Sequence, residues 1–221
     1  MTVVRKARSP KRAAMAAPET PARWRRRAHA RPDELLDAAL DEFIVNGFDA
    51  ARIEDIAKRA GLSKGAVYLY FKSKEDLLRA LIAREAAPVA ARVAFLAQAP
   101  GEPIDMLRAI ARTVGGAMAN PRLMAIPRLV ISVADRFPDL REFYRDQVAV
   151  QAKSAIEGLI RKGVAKGQFR KVDPHVGARA LIGPILFEAL WAHVLKGPSK
   201  IGTSTWIETH FDLVLSGLEA K

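Results

Sequence analysis

Within the eight residues from Ser63 to Tyr70, S-K-G-A-V-Y-L-Y, stand a hydroxyl, an ammonium and two phenols, beside a glycine and an alanine that leave backbone N–H groups uncovered. Such a set suits an oxyanion-rich polymer. Small residues at a helix start let N–H groups approach a phosphate, and Lys64, Tyr68 and Tyr70 can reach further oxygens. At about 100° per residue, Val67 and Phe71 fall on one side of a helix, Gly65 and Leu69 lie opposite, and Lys64/Tyr68 and Ala66/Tyr70 flank them. A merely solvated face would carry Glu, Lys and Gln, so both shape and chemistry point to the major groove of double-stranded DNA, with Leu69 against thymine methyls. Catalytic chemistry is missing: the histidines at 29, 175, 193 and 210 lack metal-ligand spacing, and no G-x-S-x-G, H-E-x-x-H, G-x-G-x-x-G or P-loop string occurs. No metal, cofactor or enzymatic activity is expected.

The elements that must hold this face are short helices. Ile53, Ile56, Ala57 and Ala60 repeat at helical spacing, Gly61 can leave the helix with φ > 0, and Ser63 is placed to cap a second helix. Residues 51 to 74 therefore read as a helix-turn-helix. Before it, Leu35, Leu36, Ala39, Leu40, Phe43 and Ile44 mark an amphipathic helix from Pro32 to Asn46-Gly47. After it, Ser73 and Asp76 form a capping-box-like start for a helix carrying Leu77, Leu78, Leu81 and Ile82, with Lys74 in its first turn directed toward the phosphates.

These residues resemble the tetracycline-repressor (TetR/AcrR) family of bacterial transcriptional regulators. The likeness runs through Gly47-Phe48-Asp49, Ile53-Glu54-Asp55-Ile56-Ala57 and Ala60-Gly61-Leu62-Ser63-Lys64-Gly65, then Val67, Tyr68, Tyr70, Phe71, Lys74, Glu75 and Leu77. The resemblance implies a homodimer that binds a palindromic operator and releases it when a small-molecule effector enters the C-terminal part. Carried over by position, it makes Ser63, Lys64, Gly65, Tyr68, Tyr70 and Lys74 DNA contacts; Ala66 and Leu69 join them from the helical face. The family usually has Thr or Ser around positions 51 and 52, where this chain has Ala51 and Arg52. Arg52 can replace a hydroxyl-phosphate contact with a charge while leaving its helix less well capped.

With 221 residues, half of them hydrophobic, the chain can build a sizeable core, and no apolar run suggests a membrane span. Its lack of cysteine fits a reducing bacterial cytoplasm. Residues 1–31 hold ten Lys/Arg against Glu19 alone, so nine of the twelve net positive charges lie there. This stretch reads as a disordered basic arm that adds phosphate neutralisation, the other reading being an idle tail, with Met15 a possible start. Residues 32–82 then form the DNA-binding domain, and 83–221 a helical effector-binding and dimerisation domain, giving an all-α fold.

Beyond Pro88, helices are expected over 89–98, 104–119, 122–135, 139–166, 174–196 and 203–219, set off by Pro-Gly, Asn-Pro, Phe-Pro and Asp-Pro boundaries. Arg128-Leu129-Val130-Ile131, Arg136-Phe137-Pro138-Asp139-Leu140, Phe169-Arg170 and Asp173-Pro174 resemble the AefR-like subset of that family. Helix 174–196 is apolar nearly all round and needs covering on both sides. The expected dimer interface joins Leu181, Pro184, Ile185 and Glu188 from it to a stripe of Tyr144, Val148, Ala152, Ala155, Leu159 and Gly163 on helix 139–166. Met106, Met118, Met124, Phe187 and Trp191 could line an adaptable apolar pocket, or be plain core; Arg128 or Asp135 could orient a polar ligand group, or both could face solvent. The resulting expectation is a ligand-responsive repressor released by a largely apolar effector. The alternatives are a ligand-independent architectural DNA binder and an all-α enzyme.

Overall fold

The computed structural model describes residues 21–198 and 201–220, and within α1 the side chains from Pro32 onward. Residues 1–20, and the side chains of Arg25, Arg26 and Arg27, lie outside the described residues, as does most of the expected basic arm. Among the described residues the fold is helical throughout, with one isolated backbone bridge between Phe169 and Glu219. Among the described residues no helix is long and apolar enough to cross a membrane.

The first helix, α1 (Pro21–Ala50), starts earlier than its apolar pattern, which begins near Leu35. Its first eleven residues are mostly Arg and Ala, strong helix formers, and Pro21 stands at its start, where a missing N–H costs nothing. The residues 21–31 expected to be disordered are thus helical. Gly47, with φ 76° and ψ 168°, interrupts the helix where Asn46-Gly47 was expected to end it. The helix-turn-helix follows as α2 (Ile53–Arg59) and α3 (Lys64–Tyr68), and then α4 (Lys74–Leu81).

Pro88 does not break the chain into two helices. A π-helical turn at Ile82–Ala86 joins α4 to α5 (Ala87–Gln98), with Ala87 N–H donating to the Ile82 carbonyl. Pro88 can neither donate to the Arg84 carbonyl nor tolerate it close by, and the wider turn accommodates both defects. Next come α6 (Pro103–Met118), α7 (Pro121–Val133) and α8 (Pro138–Tyr144), and a second π turn at Arg145–Ala149 carries α8 into α9 (Val150–Ala165). The last two are α10 (Pro174–His193) and α11 (Thr203–Leu218). Prolines open α6, α7, α8 and α10, and Asn120 and Asp173 cap α7 and α10 by accepting backbone N–H bonds.

Two apolar cores result, and they do not divide at residue 82. The first gathers α1 to α4 and continues into Ala125, Ile126, Leu129, Val130 and Val133 of α7 and Leu140 of α8. The second joins α5, α6, α9, α10 and α11. Consequently α7 is shared: one face completes the core of the helix-turn-helix unit, while Met124 packs against the other core.

The expected interface residues are largely taken up by packing within one protomer. Leu181 is fully buried, and Leu159, Ile185 and Glu188 are at most 8% exposed within one protomer. They face the second core. Tyr144 and Val148 pack against the first core, and Ala152 and Ala155 against the second. Gly163 is covered by Phe169, whose ring would lie 2.1 Å from an added Cβ. A helix apolar all round gives no periodic signal for its inward face, and the packing turns Leu181, Ile185 and Glu188 inward while Pro184 stays half-buried. The outward face of α10 carries Val176, Ala180, Gly183, Leu186 and Phe187, with Phe187 60% exposed.

Candidate nucleic-acid interface

Two buried side chains, Val67 and Phe71, seat α3 on the first core. Leu62 N–H donates to the Ala57 carbonyl at 2.9 Å, and Gly61 takes φ 66°, reversing the chain between α2 and α3. Ser63 then caps α3, its Oγ accepting from Ala66 N–H at 3.2 Å. The helical turn continues past the last α3 residue, since Phe71 N–H donates to the Val67 carbonyl at 2.9 Å.

The face opposite Val67 and Phe71 is open. Leu69 is 82% exposed, Tyr68 and Tyr70 are exposed, and so are Ser63, Lys64 and Gly65; Ala66 is half-buried. A Cβ added at Gly65 would meet nothing within 4 Å, and Gly65 has no positive φ. Neither packing nor backbone strain calls for glycine there. Its smallness leaves room for something outside the protein, as does an apolar Leu69 held out in solvent.

Charges around this face are already engaged. Lys64 Nζ lies 2.6 Å from Glu54 Oε1 and 5.9 Å from the centre of the Tyr68 ring. Their hydrogen bond and mutual attraction raise the lysine pKa and lower that of the carboxyl, so both stay ionised at neutral pH. Lys74 points differently from the sequence expectation. Its Nζ donates to the Phe48 and Asp49 carbonyls at 2.7 and 3.0 Å and sits 4.9 Å from the centre of the Phe48 ring. Helix-end carbonyls without partners attract a cation, and here they tie α4 to the end of α1. Arg52 is exposed at the start of α2, which has no side-chain cap, as its replacement of a hydroxyl residue implies.

Sequence reading missed the contacts that fix the angle of this unit. Glu42, only 4% exposed, accepts from Arg59 at 3.0 Å and from Asn46 at 2.5 Å, holding α1 against α2. Arg136, just beyond α7, lies 2.5 Å from Asp49 at the turn before α2, and Arg122 near the start of α7 pairs with Asp41. Phe137 meets Phe48 edge-on at 5.7 Å. Pairs 17 to 89 residues apart leave no mark in local periodicity; only an acid standing on an otherwise apolar stripe, as Glu42 does, signals a buried partner.

The expected pocket residues do not converge. Met124 and Arg128 line a crevice between α7 and α10, whereas Met118 is buried in the second core and Met106 lies against Gly101. Phe187 and Trp191 stack at 6.4 Å, and Trp191 Nε1–H donates to the Pro198 carbonyl at 3.1 Å.

A capped, outward-facing second helix on a three-helix unit, followed by a separate helical body, defines a helix-turn-helix transcriptional regulator. Residues 35–81 match the family of bacterial regulatory proteins of the tetR type, and residues 105–210 match the C-terminal domain of AefR-like transcriptional repressors. The chain belongs to the TetR/AcrR family of transcriptional regulators. It is similar to the fatty acid metabolism regulator protein of Bacillus subtilis, 44% identical over 48 residues, which are 22% of this chain and 25% of that protein. The chain thus spans about a quarter of the length of the first curated relatives it matches. Similarity to the transcriptional repressor KstR2 of Mycolicibacterium smegmatis is lower, 27% over 157 residues, but reaches 70% of this chain and 73% of that one. A TetR-family regulator from Mesorhizobium loti has the same fold, with a TM-score of 0.68 and 26% identity over 86% of this chain and 96% of the other.

Proposed function

We propose that this protein is a ligand-responsive, sequence-specific repressor of transcription, which binds a palindromic operator as a homodimer in the bacterial cytoplasm and leaves it when a small effector binds its C-terminal body. The observation that carries this is the outer face of α3: Ser63, Gly65, Tyr68, Leu69 and Tyr70 stand in solvent on a helix anchored by Val67 and Phe71. The helix start can meet a phosphate through N–H groups, Tyr68 and Tyr70 can reach oxygens or base edges, and Leu69 can touch thymine methyls. Without Arg, Asn or Gln on α3, bidentate base reading is scarce, so discrimination comes partly from DNA shape.

Pairing of two protomers is supported by the outward apolar face of α10, which no described residue of the protomer covers. Operator release is supported by the sharing of α7 between the two cores, because any shift of α7 on α10 is felt at α1. A mobility-shift titration with an operator fragment tests the reading. Tyr68→Ala is expected to weaken binding by about 1–3 kcal/mol, and Gly65→Ala, whose added Cβ meets no protein atom within 4 Å, to weaken it without lowering the melting temperature. Unchanged affinity in both variants would contradict the assignment of α3.

A further inference from the structure

We propose that the crevice between α7 and α10 takes the anionic head group of the effector, so that the effector is an anion with an apolar body. The proposal deepens the regulatory reading and rests on it for the consequence of binding. Arg128 of α7 and His193 of α10 are the polar side chains in the wall of this crevice, among Met124, Ile131, Leu186 and Leu190. Closed as it stands, it has about 10 Å³ of free space, no more than one water requires. Ile131 and Val194 remain exposed, so the wall continues outward as an apolar lip.

Two cations, Arg128 and Lys196, and the neutral imidazole of His193 meet here without an anion. Lys196, three residues past α10, acts with Arg128 on the His193 imidazole, and after burial itself these two charges hold it below the ordinary histidine range. None of the three forms an ion pair or side-chain hydrogen bond with a described residue. Lys196 takes φ 53° as the left-handed residue that closes the end of α10, where the Gly197 N–H donates to the Trp191 carbonyl at 2.9 Å. The buried acid of α10, Glu188, lies five residues before His193, about 140° around the helix, and is not among the charges acting on it.

A guanidinium with its fork of donors matches a carboxylate or phosphate, and its pairing strengthens away from water. The apolar body of the ligand then lies against Met124 and Ile131, and the unbranched methionine can repack to admit it. The α7–α10 seam is short, because α10 packs chiefly on α9, so opening it disturbs little else. Opening displaces α7, whose opposite face carries Ile126, Leu129 and Val130 into the core of the DNA-reading unit.

Calorimetric titration of the full chain without DNA tests this with three probes of equal tail length: decanoate, decanol and decyltrimethylammonium. Decanoate is expected to bind at least about tenfold more tightly than decanol. Arg128→Met should bring the two within about twofold. Should that variant fail to fold, the double variant His193→Gln/Lys196→Gln, at the rim, should lower decanoate affinity at least about fivefold. Equal binding of acid and alcohol, strongest binding of the ammonium, or no binding at all would each overturn the proposal. Strongest binding of the ammonium would transfer the role to Glu188. Because no DNA is present, failure here is distinguishable from failure of operator recognition, which the mobility-shift titration reads separately.

Discussion

Lys64 illustrates how a residue can be legible in type and hidden in state. Its position at the start of the outward helix followed from spacing, whereas its 2.6 Å contact with Glu54 did not. In the free protein that carboxylate occupies the place a phosphate would take on the ammonium, and it also repels DNA. Glu54→Gln is therefore expected to tighten binding to duplex DNA by roughly twofold to fivefold at low salt, with the gain fading as salt rises. Lys64→Gln should weaken binding and flatten the slope of log K against log salt by about one per subunit. Mobility shifts at several salt concentrations check both; a Glu54→Gln protein that binds more weakly would remove Lys64 from the interface. Glu42 belongs to the same scale but to a different role. Arg59→Ala would leave its nearly buried carboxylate without a cation and is expected to lower stability by about 1–3 kcal/mol, measured by denaturant unfolding.

Among the elements, helix existence and most boundaries were readable, because caps and prolines mark them locally: Ser63, Ser73, Asn120 and Asp173 all cap as their types predict. At Ser73 the box is offset, since Asp76 accepts from Lys72 N–H one residue earlier. Pro88 misled because a π turn can absorb it, a remedy with no sequence signature of its own. What a helix faces was less readable than where it starts. Gly163 looked like a small residue for a partner helix, yet it makes room for Phe169, and Gly163→Ala is expected to cost about 1–3 kcal/mol in thermal denaturation. An unchanged melting temperature would show that the 163–169 turn adjusts freely. The α7 helix, pinned to α1 through Arg122 and Arg136, is expected to transmit strain. Arg136→Ala should raise amide exchange at residues 48–52 severalfold while leaving α6 and α11 unchanged.

At the scale of the molecule, the all-helical, two-part plan was visible in the sequence, since the amphipathic repeats and the outward α3 face are both local features. The partition of the cores was not, because α7 completes the N-terminal core from about 90 residues away. Nor could an apolar α10 reveal which side lies outward, and the two sides now make opposite predictions. Phe187→Glu, on the exposed side, should give folded monomers in sedimentation experiments and lose operator affinity; Leu181→Asp, on the buried side, should unfold the second core. A wild-type monomer at micromolar concentration would remove the dimer. The most direct test of operator recognition is selection from random duplex DNA by the full chain, sequenced over successive rounds. The expected result is a two-fold symmetric motif whose half-sites lie about 34–36 Å apart, or a multiple of it, centre to centre, and which Tyr68→Ala no longer enriches. A bound pool indistinguishable from the input would contradict sequence-specific recognition through α3.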